Sequence, residues 1–248
     1  MKFRVALLLV FVTGGCSLFT PPQMTYRNEL LPREGGKVAG GELRLDAGTV
    51  TFALEGLRVK VEPMDDDVLN ALFPEDSAKG LFSTNPYTYG DWVDPVKGYR
   101  PKRFTVFRVS VNNDIYAKVL LDPLKAQLHT DQGEALNAYG IPSFAPHGSF
   151  ERYYRALRGQ SGNEFYRFDL RMGNVRSSAY LEDQLVFKGE SYSGLLAFTP
   201  LDPEVGSVRL VLREFVLKFD ASGQALETTD IAMDFAQRVE ISEAAAGR

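Results

Sequence analysis

The side chains that usually carry enzyme chemistry are few in this chain of 248 residues. Its two histidines, His129 and His147, lack neighbours at the spacing of a zinc site. Residues 189–194, GESYSG, have one residue too many for the Gly-x-Ser-x-Gly elbow and lead into a strand pattern, where that elbow needs a helix. No phosphate-binding or dinucleotide-binding glycine motif is present in the sequence. We therefore expect a non-enzyme with no catalytic residues, no metal and no cofactor.

The carboxylate side chains raise two further possibilities, a glycosidase and a calcium site. A carboxylate pair acting as in glycosidases would meet only in the fold, so the sequence leaves it open. Asp65, Asp66 and Asp67 stand in a row, but a calcium loop needs alternating ligands, a glycine and a distal glutamate. Acidic residues favour the first turn of a helix. We interpret the three aspartates as the start of a short helix that ends before Pro74.

The only cysteine, Cys16, has the most specific sequence context. It follows residues 1–15, which begin with Lys2 and Arg4, continue with an apolar run and end in small residues. This pattern is typical of a secretion signal and is too short to span a bilayer as a helix. A lone cysteine excludes an internal disulfide framework.

Residues 13–16, TGGC, resemble the lipobox of bacterial lipoproteins. The resemblance implies that Cys16 becomes the lipid-bearing first residue of an exported, membrane-anchored chain; two acyl signals suffice for stable anchoring. Thr13 departs from the family pattern, where leucine is commoner. Ser17 occupies the position where an aspartate is the family's inner-membrane retention signal, which favours the outer membrane if the cell has one. A plain secreted protein is the alternative.

The charge balance excludes one class of partner. Without residues 1–15 the chain keeps 26 basic and 32 acidic side chains, a formal charge of −6. A chain of this charge lacks the basic surface that binds nucleic acid or anionic lipid. We expect the partners to be the membrane, through the lipidated cysteine, and other envelope proteins.

Residues 16–40 are rich in proline and glycine and predict a flexible tether, followed by a single domain over residues 41–240 and a frayed tail over residues 241–248. The domain is organised around residues 104–113, FTVFRVSVNN, in which apolar residues alternate as in a central strand. The residues expected to face the core are Thr105, Phe107, Val109 and Val111. Two other strand patterns change phase, at Glu55-Gly56 and at Arg213-Glu214, and predict bends or bulges.

The long loop over residues 80–101 contains the candidate ligand-binding residues Tyr87, Tyr89 and Trp92. Aromatic side chains in a loop can form a binding surface, here for a glycan or a lipid-like ligand. Such a loop can also fold back and cover the core. We expect the covering role and keep the binding surface as the alternative.

A helical insertion is predicted over residues 149–178. Phe150, Tyr153, Tyr154 and Leu157 fall at i, i+3, i+4 and i+7, as on one face of a helix. The second half, around Phe168, alternates equally well as a strand. A helix hairpin between strands is our interpretation.

Residues 106–113, VFRVSVNN, and 186–198, VFKGESYSGLLAF, resemble the Ig-like, telokin-like β-sandwiches of secreted bacterial lipoproteins. The matching residues are Asn112, Asn113, Gly189, Glu190, Gly194 and Phe198. The resemblance implies a mainly β fold, an Ig-like antiparallel β-sandwich with a short helical insertion, and most such proteins have no assigned activity. We expect a non-catalytic, lipid-anchored envelope lipoprotein acting as a protein-interaction or structural module. A ligand-binding lipoprotein is the alternative.

Overall fold

A computed structural model describes residues 24–36, 40–157 and 164–243. Cys16 therefore lies outside the described residues. The strands are β1 (Met24–Arg33), β2 (Glu42–Asp46), β3 (Thr49–Leu54), β4 (Leu57–Met64), β5 (Thr105–Asn113), β6 (Lys118–Leu120), β7 (Ala126–Thr130), β8 (Ala135–Asn137), β9 (Tyr139–Gly140), β10 (Gly148–Ser149), β11 (Leu185–Phe187), β12 (Glu190–Phe198), β13 (Ser207–Phe219) and β14 (Ala225–Glu243). The α-helices are α1 (Asp66–Leu72), α2 (Pro74–Ser77), α3 (Phe150–Ala156) and α4 (Glu164–Ser178), and short 3-10 turns span Gly80–Phe82 and Pro123–Lys125.

The fold is mainly β and is built from two large antiparallel sheets, beside a short parallel pair of strands, β9 and β10. The first sheet has the order β1-β14-β13-β6-β11, with β7 also paired to β13 and β8 paired to β7. The second sheet has the order β12-β5-β4-β3-β2. One apolar core contains buried side chains of both sheets, including Phe107 and Val109 from β5 and Leu210 and Phe235 from the first sheet. The two sheets therefore share a single core.

Strand β5 is a central strand, as its alternation predicts. It pairs with β4 on one side and β12 on the other. Phe107, Val109 and Val111 are fully buried in the shared core, whereas Arg108 faces the other side and forms an ion pair with Glu62 at 3.3 Å. The predicted face of this strand is confirmed.

Both predicted changes of phase are backbone irregularities. Glu55 and Gly56 make the tight turn between β3 and β4, and Glu55 has a φ of 52°. Glu214 has a φ of 53° at a shift of register between β13 and β14, so β13 continues through a bulge. Both bends are confirmed, and the second lets one strand stay paired over 13 residues.

The helical insertion is also confirmed and forms a third layer. Phe150 and Tyr154 from α3 and Met172 and Val175 from α4 are buried in a second apolar cluster with Val106, on the outer face of the second sheet. Helix α1 begins after Asp65, whose side chain accepts a hydrogen bond from the Val68 amide at 2.7 Å. The aspartate row is thus a helix start, as predicted.

The tether prediction is wrong for residues 24–33. These residues form β1, which pairs with β14 over ten residues, and Leu30 packs against the shared core. Pro32, read from the sequence as a sign of a loop, lies in an edge strand, where a missing N–H is tolerated. The tail prediction also begins too early, since β14 extends to Glu243.

Candidate interaction site

The candidate ligand-binding residue Tyr87 is part of the core. Its ring is fully buried and meets the ring of Phe150 edge-on, with centroids 5.8 Å apart. Its hydroxyl group forms a hydrogen bond of 2.8 Å with the Ser178 hydroxyl group, and burial raises the pKa of Tyr87. Tyr87 therefore attaches the loop to α4 and has no surface to offer a ligand in this arrangement.

Tyr89 and Trp92, the other two candidates, remain together near the surface. Both are half-buried, and their ring centroids are 5.5 Å apart. The Tyr89 ring also lies 4.1 Å from the guanidinium carbon of Arg103. The structure thus separates the three sequence candidates into one core residue and a partly exposed aromatic pair.

Arg103 is the charged residue that holds this loop. It is only 6% exposed, and its Nη1 donates to the Asn85 carbonyl oxygen at 3.4 Å and to the Tyr154 hydroxyl oxygen at 3.3 Å. Within the described part of the chain it has no ion pair with a carboxylate, and its Nε has no hydrogen-bond partner. Burial by itself lowers the pKa of Arg103, but the tyrosines around it, Tyr154 first, outweigh that effect and raise the pKa above its ordinary value.

Asn85 organises the base of the loop. Its side-chain amide is buried, donates to the Leu69 carbonyl oxygen at 3.1 Å and to the Ser77 hydroxyl oxygen at 2.9 Å, and accepts from the Tyr87 amide at 2.8 Å. Gly90 has a φ of 66°, and a Cβ at this position would lie 2.3 Å from the Ser77 carbonyl oxygen. The loop is consequently a packed, hydrogen-bonded cover.

A groove of about 620 Å³ runs along the outer edge of β1. One wall is residues 24–29 of β1, and the other is the first turn of α1 with residues of the loop that precedes β5. On that second wall lie Asp65, Asp66, Asp67, Val93, Gly98, Tyr99, Arg100 and Lys102. A smaller cavity of about 170 Å³ continues beside Asn28, Glu29, Leu30 and Leu31, so both concave spaces follow the same strand edge.

A ring contact across this groove and an ion pair within its second wall hold the two walls in place. The rings of Tyr26 and Tyr99 stack with centroids 4.7 Å apart and an interplanar angle of 17°. Lys102 Nζ lies 2.8 Å from Asp66 Oδ1, yet burial outweighs this attraction and raises the pKa of the Asp66 carboxyl group. The groove therefore has a stacked aromatic pair at one end and a partly buried ion pair on the far wall.

His129 lines an open groove, whereas His147 is an exposed loop residue. His129 lies half-buried in an open groove of about 620 Å³ on the outer face of the first sheet, with Asp131, Arg209 and Asp234. Arg209 there makes two contacts with Asp234, of 2.6 and 2.9 Å. Among the residues that the structure describes, no group of three or more histidine, cysteine or acidic side chains could hold a metal ion.

Comparison with known proteins gives no relative. No family model, no curated protein and no solved structure matches this chain. In the described parts of the chain, no helix is long and apolar enough to cross a membrane. The function must therefore be argued from the residues themselves.

Sequence reasoning missed Asn85, Arg103 and the free edge of β1. Arg103 stands between a proline-rich loop and a strand without any periodic signal, and its partners Tyr89 and Tyr154 lie far from it in sequence. The alternation of Tyr26, Asn28 and Leu30 could have indicated a strand in residues 24–33.

Proposed function

We propose that this protein is a non-catalytic, lipid-anchored lipoprotein of the cell envelope whose domain serves as a protein-interaction or structural module. The finer fold assignment, an Ig-like sandwich, belongs to the same proposal and is supported by the core that two antiparallel sheets share. The main support for the function is the combination of a lipobox-like Cys16 with a strand, β1, that begins eight residues later beside an open groove.

The position of β1 limits how far the domain can stand from the membrane. Met24 is eight positions after Cys16, and a fully extended chain covers about 3.3–3.6 Å per position. If Cys16 carries the acyl chains, the start of β1 lies within about 29 Å of the lipid surface. The module would therefore act close to its own membrane, where outer-membrane and periplasmic proteins meet it.

Cell fractionation tests this proposal. The wild-type chain should incorporate labelled palmitate and sediment with membranes, whereas Cys16→Ser should incorporate none and lose membrane attachment. Ser17→Asp provides the matched variant: it keeps the acylated cysteine and should move the protein from the outer to the inner membrane of a cell with two. A Cys16→Ser chain that remains processed and membrane-bound would contradict the anchor.

A ligand-binding lipoprotein is the second candidate, and its support is the half-buried pair Tyr89 and Trp92 beside Arg103. Trp92 is the only tryptophan, so its fluorescence reports on this place alone. If the pair only covers the core, glycans and lipid micelles should leave the emission unchanged. A saturable shift of the Trp92 emission on addition of a ligand would favour this second function. Trp92→Phe should then also weaken binding of the same ligand in an assay that does not use tryptophan fluorescence.

A further inference from the structure

Strand β1 is the edge of the first sheet, and its backbone directions can be read from its neighbour. The Gln237 amide on β14 donates to the Gly206 carbonyl oxygen at 2.9 Å, away from β1. Successive residues of a strand point their amides in opposite directions. The even-numbered residues of β14 therefore direct their backbone N–H and C=O groups towards β1. Their partners on β1 are odd-numbered: Glu240 pairs with Arg27 and Arg238 with Glu29.

The even-numbered residues of β1 therefore direct their N–H and C=O groups to the outer edge. Two observations agree with this. The Met24 amide donates to the Gly98 carbonyl oxygen at 2.9 Å, on the outer side, and Pro32, which has no N–H, is also even-numbered. Between these ends, the amides of Tyr26, Asn28 and Leu30 have no hydrogen-bond acceptor within the described residues. Unpaired groups of this kind are what an added strand uses.

The charges on β1 specify which strand would fit. Arg27 and Glu29 lie on one face, and each is opposite a residue of opposite charge on β14, Glu240 and Arg238. The β14 segment thus reads basic-x-acidic along the chain. A second antiparallel strand on the other edge of β1, with its central residue opposite Asn28, would be complementary to Arg27 and Glu29 if it had the same order of charges. It needs a basic residue opposite Glu29 and, two positions later, an acidic residue opposite Arg27.

The groove favours a single extended chain over the edge of another folded sheet. Its far wall is formed by the first turn of α1 and by Tyr99 to Lys102. If β1 of a second copy paired with this edge, β14 of that copy would lie about 4.8 Å farther out and would collide with the far wall. An isolated extended segment has no such neighbour. The exposed charges on β1 also oppose pairing with strands of the wrong pattern.

We infer that the groove along β1 binds an extended segment of a partner protein by antiparallel strand addition, with the pattern basic-x-acidic centred opposite Asn28. This inference specifies the partner class for the interaction role proposed above. It rests on that proposal only in placing the partner in the cell envelope. The paired stretch spans Tyr26 to Leu30, because Gly98 occupies the edge at Met24 and Pro32 ends the row of donors.

Two synthetic peptides test the inference with the full-length Cys16→Ser chain in solution. Both alternate threonine and valine, and they differ only in a central Lys-Val-Glu or Glu-Val-Lys. The first should bind about tenfold more tightly by fluorescence anisotropy, since two cross-strand charge pairs change sign between the peptides. Hydrogen exchange should show new protection at the amides of Tyr26, Asn28 and Leu30. The amides of Arg27 and Glu29, already bonded to β14, serve as the internal control.

Charge exchange in the protein should reverse the preference. The fourfold variant Arg27→Glu, Glu29→Arg, Arg238→Glu, Glu240→Arg keeps each cross-strand pair complementary and should prefer the Glu-Val-Lys peptide. The matched control, Lys218→Glu with Glu227→Lys, exchanges an exposed pair 2.5 Å apart on β13 and β14 and should keep the original preference. Melting temperatures of both variants show whether they fold.

Three results of the peptide experiments would overturn the inference. They are no binding of either peptide, binding without protection of the three edge amides, or binding whose preference the fourfold variant does not reverse. Concentration-dependent self-association that protects the same amides would also overturn it, because the occupant would then be a second copy. An unmodified Cys16 in cells would contradict the proposed lipid anchor and leave these solution measurements unchanged.

Discussion

The guanidinium carbon of Arg103 lies 4.1 Å from the centroid of the Tyr89 ring, and this contact links the exposed and buried halves of the aromatic loop. Arg103 is buried and also donates to the hydroxyl group of Tyr154 on α3. Its charge is therefore balanced by ring faces and oxygen acceptors rather than by a carboxylate among the described residues. Cation–π contacts of desolvated arginine contribute about 2 kcal/mol.

Replacement of Arg103 by lysine tests this contact. Arg103→Lys keeps the charge but loses the planar group and its fixed donors, so the free energy of unfolding should fall by about 1–2 kcal/mol. Trp92, which packs on Tyr89, should move towards water and emit at longer wavelength. Chemical denaturation and emission spectra measure both effects. Unchanged stability and emission would show that Arg103 does not hold the loop.

Two aromatic substitutions should separate the parts of the loop. Tyr87→Ala removes a fully buried ring and its hydrogen bond to Ser178, so it should destabilise the protein by about 3–5 kcal/mol. Trp92→Ala removes a half-buried ring and should cost clearly less. Equal losses in denaturation experiments would contradict the different burial of the two side chains.

The strands and helices with a regular apolar pattern could be predicted from the sequence, whereas the contacts that hold the aromatic loop over residues 80–101 could not. Alternation identifies β5, and helical spacing identifies α3, because each pattern reflects one buried face. The sequence of β1 predicts a tether because Pro32 and the charged residues of this stretch resemble a linker. These features suit an edge strand, whose outer side faces solvent. The hydrogen bonds of Asn85 to Leu69 and of Arg103 to Tyr154 join residues 16 and 51 positions apart, so no local sequence pattern indicates them.

Asp76 should make stability depend on pH. Burial alone raises the pKa of Asp76, but hydrogen bonds from Thr84, Asn174 and Lys79 outweigh it and hold the pKa below its ordinary value of 3.8. Asn174 Nδ2 donates to Asp76 Oδ2 at 2.7 Å, linking α2 to α4. Because the pKa is lower in the folded chain, the ionised group stabilises the fold above about pH 4, and this contribution is lost as the pH falls through the folded pKa.

Asp76→Asn should therefore cost about 1–2 kcal/mol at pH 7, and the difference from the wild type should shrink below about pH 4. Urea denaturation at several pH values measures it. Glu75→Gln, at an exposed neighbouring position on α2, is the control and should leave the pH profile unchanged. A constant difference between Asp76→Asn and wild type at every pH would mean that the charge of Asp76 is irrelevant to stability.

The mass of the first residue tests the central claim, a lipid-anchored interaction module, most directly. Protein purified from the membranes of its own cells should yield an N-terminal peptide that begins at Cys16 and carries the mass of a diacylglyceryl group on its sulfur. The same peptide should come from the fraction that sediments with membranes. A chain that begins elsewhere, or that carries an unmodified Cys16 and stays in the soluble fraction, would contradict the account.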